Sequence, residues 1–256
     1  QTCALPILSD VLVMEQLARH SSSLASIIDA HASLGSMPIL MAGSEEQKQK
    51  YLAPAATGET LCAFALTEPQ SGSDAAQIRT TAVLDGDEWV INGSKAFITN
   101  STYASTFLVA AKTDLEAKGS RGISIFIVPA GLPGFEVGKP EEKMSNRSSY
   151  SCPLSFTDVR IPKENLVGEL NRGFPIFMKC VDDGRVAISA VAVGMAQGVL
   201  ERAARYSKER VTFGHPICEN QAIAFKLAEM ATEIEVARAM LYNTARMSDN
   251  GVSFSK

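Results

Sequence analysis

The spacing of apolar residues changes twice along this 256-residue chain. Up to about Leu52 the apolar residues recur every three or four positions, as on one face of a helix. Between Glu59 and about Asp158 the sequence consists of short β-rich runs separated by Gly and Pro. Helical spacing returns from Phe174 onward. The order α, then β, then α predicts an α+β multidomain protein.

Short runs within the β-rich region predict individual strands. Three buried strands are predicted at 107–111, 123–128 and 154–156. A hairpin is predicted between Val83 and Ser94, because the Asp-Gly and Asn-Gly dipeptides at 85–86 and 92–93 favour tight turns.

Capping residues and breakers define the predicted helices. Ser44 and Gln47 match a capping box at the start of a helix over 45–52, and Pro54 is expected to end that helix. After the β region, two long helices are predicted over 174–209 and 220–247.

Small and apolar residues on the two long helices are interpreted as packing features. Gly194 and Gly198 on the first helix would let another backbone approach closely. The second helix carries an apolar stripe that is expected to be ordinary core. The members of this stripe are Ile223, Leu227, Met230, Ile234, Ala237 and Leu241.

Composition and charge narrow the classes of function. With 24 basic and 28 acidic residues and no basic tract, the chain is not expected to bind nucleic acid. No apolar run approaches the roughly 18 residues of a membrane helix, so a soluble protein is predicted. The cysteines and histidines lack metal-ligand spacing, which predicts neither a metal site nor a disulfide framework. These residues are Cys3, Cys62, Cys152, Cys180, Cys218, His20, His31 and His215.

A strand that leads into a polar loop is the strongest functional signal. The predicted strand over 61–66 is followed by Thr67, Pro69 and Ser73. Because the proline turns the backbone, amides and hydroxyls are displayed at the strand end, where they suit the edge of a planar cofactor. Taken alone, the segment is better interpreted as an ordinary polar turn.

Two further segments support the cofactor interpretation. At a second predicted strand end, the aromatic ring of Phe97 is followed by the hydroxyl of Thr99. At the end of the first long helix, Arg210 precedes Thr212 and a glycine break. An arginine in that place can bind a pyrophosphate through two parallel hydrogen bonds.

In their order and separation, these three segments resemble the acyl-CoA dehydrogenase family of flavoproteins, from about Ser9 to the last residue. The resemblance implies the family's fold: the end of an N-terminal α-helical domain (1–56), a middle β-domain (57–168) and the start of a C-terminal four-helix bundle (169–256). The bundle is expected to be incomplete, because two amphipathic helices cannot bury a four-helix seam. Residues 1–8 are interpreted as non-native.

The resemblance also implies a cofactor, FAD, and the residues that contact it. Those expected at the flavin ring are Phe64, Leu66, Thr67, Ser73, Phe97, Ile98 and Thr99. Those expected at the diphosphate and adenosine, on a neighbouring subunit, are Arg210, Thr212 and Gln221. Those expected at the acyl-CoA substrate are Ser73, Asp182 and Arg185.

The implied reaction is α,β-dehydrogenation of a short- to medium-chain acyl-CoA to the trans-2-enoyl-CoA, with electrons passed to an electron-transfer flavoprotein. Some family members carry the catalytic glutamate immediately before the arginine that matches Arg185, where this chain has Gly184. The resemblance therefore places the base beyond Lys256 and implies that this chain alone is inactive. The chain's own helix glutamates are interpreted as surface residues: Glu201, Glu219, Glu229, Glu233 and Glu235.

Several alternatives stay open on sequence grounds. An acyl-CoA oxidase or a nitroalkane-oxidising flavoenzyme would share these residues, and a non-catalytic scaffold would share the fold. A hydrolase or a nicotinamide enzyme is not supported, because the G-x-S-x-G and G-x-G-x-x-G motifs are missing from the sequence. The full-length protein is expected to be a homotetramer or homodimer, in the bacterial cytoplasm or the mitochondrial matrix.

Overall fold

The computed structural model describes residues 6–254, which fall into two compact units. The first unit is Ile27–Gly184, and the second consists of the remaining described residues, 6–26 and 185–254. The predicted order of helices, strands and helices is confirmed. Cys3 and most of the stretch interpreted as non-native lie outside the described residues.

Short helical segments come before the first strand. They are α1 (Ile7–His20), α2 (Ser22–Asp29), a π-helical turn (Ala30–Gly35), α3 (Met37–Ala42), α4 (Glu45–Gln47), a second π-helical turn (Lys48–Leu52) and α5 (Ala53–Thr57). The capping box is confirmed. The backbone N–H of Gln47 donates to Ser44 Oγ at 3.2 Å, and the backbone N–H of Ser44 donates to Gln47 Oε1 at 3.0 Å. The prediction that Pro54 ends the helix was wrong. Pro54 lies in the first turn of α5, where its missing N–H removes no helical hydrogen bond.

Eight strands of the first unit form one sheet. They are β1 (Cys62–Ala65), β2 (Thr81–Asp85), β3 (Glu88–Thr99), β4 (Thr106–Lys112), β5 (Ile123–Pro129), β6 (Phe135–Val137), β7 (Ser151–Pro162) and β8 (Leu166–Val167). The strand order is β6-β7-β3-β2-β4-β5-β8, and β1 pairs with β4 in parallel. The strands predicted at 107–111, 123–128 and 154–156 lie within β4, β5 and β7, and the strand predicted over 61–66 is present as the shorter β1.

Strands β4 and β5 are buried on both faces, which explains their unbroken apolar sequences. Phe107 and Val109 of β4 pack into one hydrophobic cluster with Phe126 of β5. The alternate residues of β4, such as Leu108, belong to a second cluster that includes Phe177. The sheet therefore carries a core on each side and provides a rigid base for the loops at its strand ends.

The predicted hairpin is present, but one of its two turns was assigned wrongly. β2 and β3 are joined after Asp85, as expected. The Asn92-Gly93 dipeptide instead lies inside β3, where the pairing with β7 shifts its register. Gly93 has a φ of 145°, and a Cβ there would lie 2.7 Å from Thr80 Cα. Glycine at this position therefore permits two backbones to approach closely.

The second unit is built around two long helices. α6 spans Gly173–Glu209, beginning within the first unit, and is followed by the short strands β9 (Val211–Thr212) and β10 (His215–Pro216) and by α7 (Gln221–Asp249). The close approach predicted for the two glycines of α6 is confirmed. A Cβ at Gly194 would lie 2.1 Å from Glu15 O, and one at Gly198 would lie 2.2 Å from Arg19 O. Both contacts are with the backbone of α1.

The apolar stripe of α7 is buried only in part. Ile234 and Leu241 are buried, as an ordinary core stripe requires. Ala237 is exposed, and Ile223, Leu227 and Met230 are half-buried, so the interpretation of the whole stripe as core was wrong. In this unit α1 packs against α7, but the 14 residues of α1 cannot cover the 29 residues of α7.

Two helical stretches, Ser22–Ala42 and Gly173–Glu209, are long and apolar enough by length and composition to cross a membrane. The sequence-based statement that no apolar run approaches that length was therefore wrong. The first stretch contains Asp29 and Ser33, which are both buried and hydrogen-bonded to each other, and this is consistent with a core helix. Over residues 6–254, no group of three or more His, Cys, Asp or Glu could hold a metal ion.

Candidate functional site

The loop that follows β1 is closed by the carboxylate of Glu68, which is almost fully buried. The backbone groups of Glu68 and Ser71 exchange two hydrogen bonds of 3.0 Å, which form a tight turn. Glu68 Oε2 accepts from Arg79 N–H at 2.6 Å, and Glu68 Oε1 accepts from Thr80 N–H at 3.0 Å. One side chain therefore joins the beginning of the loop to its end.

Lys95 of β3 is fully buried and pairs with Glu68. Its Nζ donates to Glu68 Oε1 at 2.8 Å and to Leu66 O at 3.1 Å. Burial lowers the pKa of Lys95 to about 8, although the charge of Glu68 opposes that shift. Burial raises the pKa of Glu68, but the charge and hydrogen bond of Lys95 and the bonds from Thr80 and Arg79 outweigh it and lower the pKa overall.

The structure brings the two predicted flavin-ring segments together. Ala96 N–H donates to Thr67 O at 2.9 Å, so Thr67 lies beside the residue that precedes Phe97. The pairing of β3 with β7 shifts between Lys95 and Ile98, and Phe97 takes a φ of 59° at this irregularity. The irregularity directs the Phe97 ring outward, and the residue is 64% exposed.

The end of β3, after Phe97, is held by hydrogen bonds to neighbouring parts of the chain. Thr99 Oγ1 lies 3.3 Å from Ser151 Oγ of β7. Asn100, with a φ of 67°, donates from Nδ2 to Ile27 O at 2.9 Å and from its backbone N–H to Tyr150 O at 3.1 Å. These bonds stabilise a backbone conformation that non-glycine residues seldom adopt.

The other predicted flavin-ring residues divide into core and surface. Leu66 and Ile98 are buried, and Phe64 packs edge-on against Phe177 with ring centroids 4.3 Å apart. Ser73 is exposed and Thr67 is half-buried. The exposed ring of Phe97 follows Ala96, whose N–H donates to Thr67 O, and precedes Thr99 by two positions; an aromatic face with hydroxyl groups nearby suits a planar ring with polar edges.

The residues predicted at the diphosphate and adenosine lie together in the second unit. Arg210 is exposed and directly follows α6, and its carbonyl accepts from Ile217 N–H at 2.9 Å. Thr212 is half-buried in β9, and Gln221 is exposed at the first residue of α7. The β9–β10 turn has positive φ at Phe213 and Gly214, which confirms the predicted break in the chain.

The predicted substrate residues Asp182 and Arg185 lie on α6, on either side of Gly184. Gly184 is buried, and a Cβ there would lie 3.0 Å from Leu34 Cδ2. A larger residue at this position would therefore have to displace the tip of Leu34.

The glutamates of the helices that the sequence interpretation assigned to the surface are either exposed or paired with arginine. Glu201 pairs with Arg19 at 2.6 Å, and Glu235 pairs with Arg238. Glu219, Glu229 and Glu233 are exposed. Glu15, which the sequence interpretation overlooked, is buried and accepts from Arg238 Nε at 2.8 Å and Tyr242 Oη at 2.7 Å. These partners give Glu15 a structural role between α1 and α7.

Sequence reasoning also missed Lys95 and Glu68. A lysine beside two apolar residues and a glutamate beside a proline have many simpler interpretations. The one available signal was a charged residue at an inward position of a predicted strand, which requires a buried partner.

Sequence profiles of the acyl-CoA dehydrogenase family match three consecutive parts of the chain. The N-terminal domain profile matches residues 3–59, the middle domain profile 63–159 and the C-terminal domain profile 171–255.

Two curated relatives illustrate the similarity. The short-chain specific acyl-CoA dehydrogenase of Clostridium acetobutylicum is 43% identical over 249 residues, which cover 97% of this chain and 65% of the relative. The caffeyl-CoA reductase-Etf complex subunit CarC of Acetobacterium woodii is 44% identical, with the same 97% and 65% coverage. The chain thus spans about 65% of the length of these relatives.

Solved structures agree with the profiles. Butyryl-CoA dehydrogenase from Megasphaera elsdenii superimposes with a TM-score of 0.93 at 43% identity, covering 97% of this chain and 65% of that one. An acyl-CoA dehydrogenase from Bacillus anthracis complexed with FAD superimposes with a TM-score of 0.91 at 39% identity, covering 96% of this chain and 42% of that one.

Proposed function

Because this chain belongs to the acyl-CoA dehydrogenase family, we propose that it takes part in FAD-dependent oxidation of a short- to medium-chain acyl-CoA to the trans-2-enoyl-CoA. The observation that carries the proposal is the exposed ring of Phe97 near the end of β3, next to Ala96, whose N–H donates to Thr67 O just after β1. The short-chain preference is supported by the name of the Clostridium acetobutylicum relative.

The residues at the ends of β1 and β3 are proposed to orient the flavin ring. FAD, when bound, supplies the acceptor for the hydride that leaves the substrate's β carbon. Phe97 offers a flat apolar face, and Thr67 and Thr99 offer hydroxyl groups to the polar edge of the ring. Phe64, Leu66 and Ile98 are buried or half-buried and are proposed to support this surface, and the exposed Ser73 is proposed to border it on the substrate side.

Arg210, Thr212 and Gln221 are proposed to bind the diphosphate and adenosine of the FAD held by a neighbouring subunit. The guanidinium of Arg210 is exposed at a helix end, where it can donate two parallel hydrogen bonds to a phosphate. Thr212 adds a hydroxyl group from the β9–β10 hairpin, and Gln221 adds an uncharged amide from the first residue of α7. On the substrate side, Asp182 and Arg185 are proposed to border the groove for the CoA thioester.

The α proton of the substrate must pass to a carboxylate, and Gly184 cannot accept it. Among residues 6–254, the glutamates of α6 and α7 are either paired with arginine or exposed, and we assign none of them as the base. The proposed base lies outside these residues.

The electron acceptor is proposed to be an electron-transfer flavoprotein, and the full-length protein is proposed to be a homotetramer or homodimer. The first proposal is supported by the relative named as a subunit of an Etf complex. The second is supported by apolar residues that stay exposed on both long helices, such as Met195 and Met240.

The function is tested by mixing the FAD-loaded full-length protein with butyryl-CoA in the absence of oxygen. We expect bleaching of the flavin's visible absorbance and formation of the trans-2-enoyl-CoA, detected by mass spectrometry. Thr99→Val should shift the flavin spectrum and slow the bleaching about tenfold, because one hydrogen bond to the ring edge is lost. Thr232→Val, at an exposed position of α7, is the matched control and should leave both unchanged.

Two outcomes would contradict the proposal. A protein that binds no FAD would exclude the flavoenzyme. A reduced protein that passes its electrons to oxygen as fast as to an electron-transfer flavoprotein, with release of hydrogen peroxide, would identify an oxidase instead.

A further inference from the structure

The buried ion pair of Lys95 and Glu68 lies next to residues proposed to hold the flavin ring: Glu68 follows Thr67, and Lys95 lies two positions before Phe97. The Lys95 side chain is 0% exposed and the Glu68 side chain 2%. Burying two charges costs several kcal/mol per ion unless their hydrogen bonds are well satisfied. A pair of apolar side chains would fill the same space without that cost.

The hydrogen bonds of the pair show what apolar side chains could not provide. Leu66 O, Arg79 N–H and Thr80 N–H are backbone groups that bond directly to Lys95 or Glu68. The side chain of Gln70 also donates to Glu68 Oε2 at 2.7 Å. The pair therefore fixes both ends of the 66–80 loop to the middle of β3.

The same contacts fix Thr67 relative to Phe97. Thr67 lies between Leu66 and Glu68, which both bond to Lys95 Nζ. Ala96, the residue after Lys95, donates its amide to Thr67 O and is followed by Phe97 at its positive φ. The hydroxyl-bearing residue and the exposed ring are thus held by one buried group of bonds.

We propose that Lys95 and Glu68 are positioning residues that set Thr67 and Phe97 in the flavin-binding arrangement before the cofactor arrives. This inference rests on the proposed function and names residues that act on the flavin only through their neighbours. Ordering the loop in advance lowers the cost of binding, because less conformational freedom is lost when the ligand arrives.

Other ion pairs of the same unit provide a comparison. Lys163 pairs with Asp87, and Arg160 pairs with Asp85 and Glu88, at exposed positions where strand ends meet. In the contacts described for their side chains, Lys163 and Arg160 bond only to carboxylates, and none of these bonds reaches the 66–80 loop. Lys163→Met is therefore a matched control, since it removes a lysine and an ion pair from the same unit.

The experiment compares Lys95→Met and Glu68→Gln with wild type and with Lys163→Met, all as full-length apoprotein titrated with FAD. We expect the FAD dissociation constant to rise about tenfold in the two buried variants, with a changed visible circular dichroism of the bound flavin. The control should match wild type. Trp89, the one tryptophan of the chain, lies in the core of this unit, so its fluorescence shows whether each variant is folded.

A second measurement does not depend on the variants folding. In wild-type apoprotein, the amides of Arg79, Thr80 and Ala96 should resist hydrogen exchange if the arrangement is set in advance. Rapid exchange of these amides without FAD would overturn the proposal. Folded Lys95→Met and Glu68→Gln variants that bind FAD as tightly as wild type, with an unchanged spectrum, would also overturn it.

The failure of the proposed function would look different. If wild type itself binds no FAD, both the function and the positioning role are excluded. If wild type binds FAD and oxidises butyryl-CoA while the buried variants behave like the control, the positioning role alone is excluded.

Discussion

Phe97 and Asn100 hold backbone conformations that are uncommon for residues with a side chain. Such conformations cost of order 1–3 kcal/mol each and persist only where surrounding bonds maintain them. At Asn100 the bonds to Ile27 and Tyr150 do so, and at Phe97 the irregular pairing of β3 with β7 does so. The strain therefore lies where the proposed cofactor surface is built.

Arg210 provides a test of the proposed diphosphate site at the scale of one residue. Arg210→Lys in the full-length protein should raise the FAD dissociation constant about tenfold, because an ammonium group cannot reproduce the two parallel bonds of a guanidinium. The measurement is a flavin titration followed by fluorescence.

The matched control for this prediction is Arg202→Lys, which changes an exposed arginine of α6, the helix that Arg210 follows. Both variants should keep the stability of the apoprotein. Equal FAD affinity of Arg210→Lys and wild type would favour a surface role for Arg210.

At the scale of elements, the contact of α1 with α6 depends on two glycines. The backbone carbonyls of Glu15 and Arg19 occupy the space that side chains at Gly194 and Gly198 would need. The ion pair of Arg19 with Glu201 and the bonds of Glu15 to α7 then fix how the three helices of this unit pack.

Gly194→Ala should destabilise the second unit by about 1–3 kcal/mol, because the added methyl group forces α1 away from α6. The melting temperature from far-ultraviolet circular dichroism is the readout, since this unit consists mainly of helix. Arg202→Ala, at an exposed position of the same helix, should have little effect. Equal destabilisation by both variants would show that the close approach of the α1 and α6 backbones does not stabilise the contact between these helices.

At the scale of the whole molecule, stability against pH reflects every buried ionisable group. His31 Nε2 lies 3.1 Å from Ala55 O, and His31 Nδ1 accepts from Cys62 N–H at 3.0 Å. Burial lowers the pKa of His31 below its ordinary value of 6.5, against the effect of the bond to Ala55. Below pH 6.5 the unfolded chain binds a proton at His31 that the folded chain does not bind, so the free energy of unfolding falls as the pH falls.

The free energy of urea unfolding, followed by Trp89 fluorescence, should therefore drop between about pH 7 and pH 5 more steeply in wild type than in His31→Asn. His20→Asn, at an exposed histidine, is the matched control and should keep the wild-type slope. Identical slopes for wild type and His31→Asn would assign the pH dependence to other groups.

The sequence by itself determined the order of helices and strands, because apolar periodicity and capping residues act over a few neighbouring positions. The capping box at Ser44 and the two long helices followed from such local patterns. The flavin-ring and diphosphate segments were found through their resemblance to a family, since local patterns alone fitted an ordinary polar turn.

Only the tertiary structure decided which buried charges meet. Lys95 and Glu68 are separated by 27 positions, and Glu15 and Arg238 by 223, so no local pattern could pair them. The same is true of the Asn92-Gly93 dipeptide, which favours a turn locally but lies within β3 because Thr80 packs against Gly93. Contacts between distant residues outweigh local preference wherever burial makes an unpaired polar group costly.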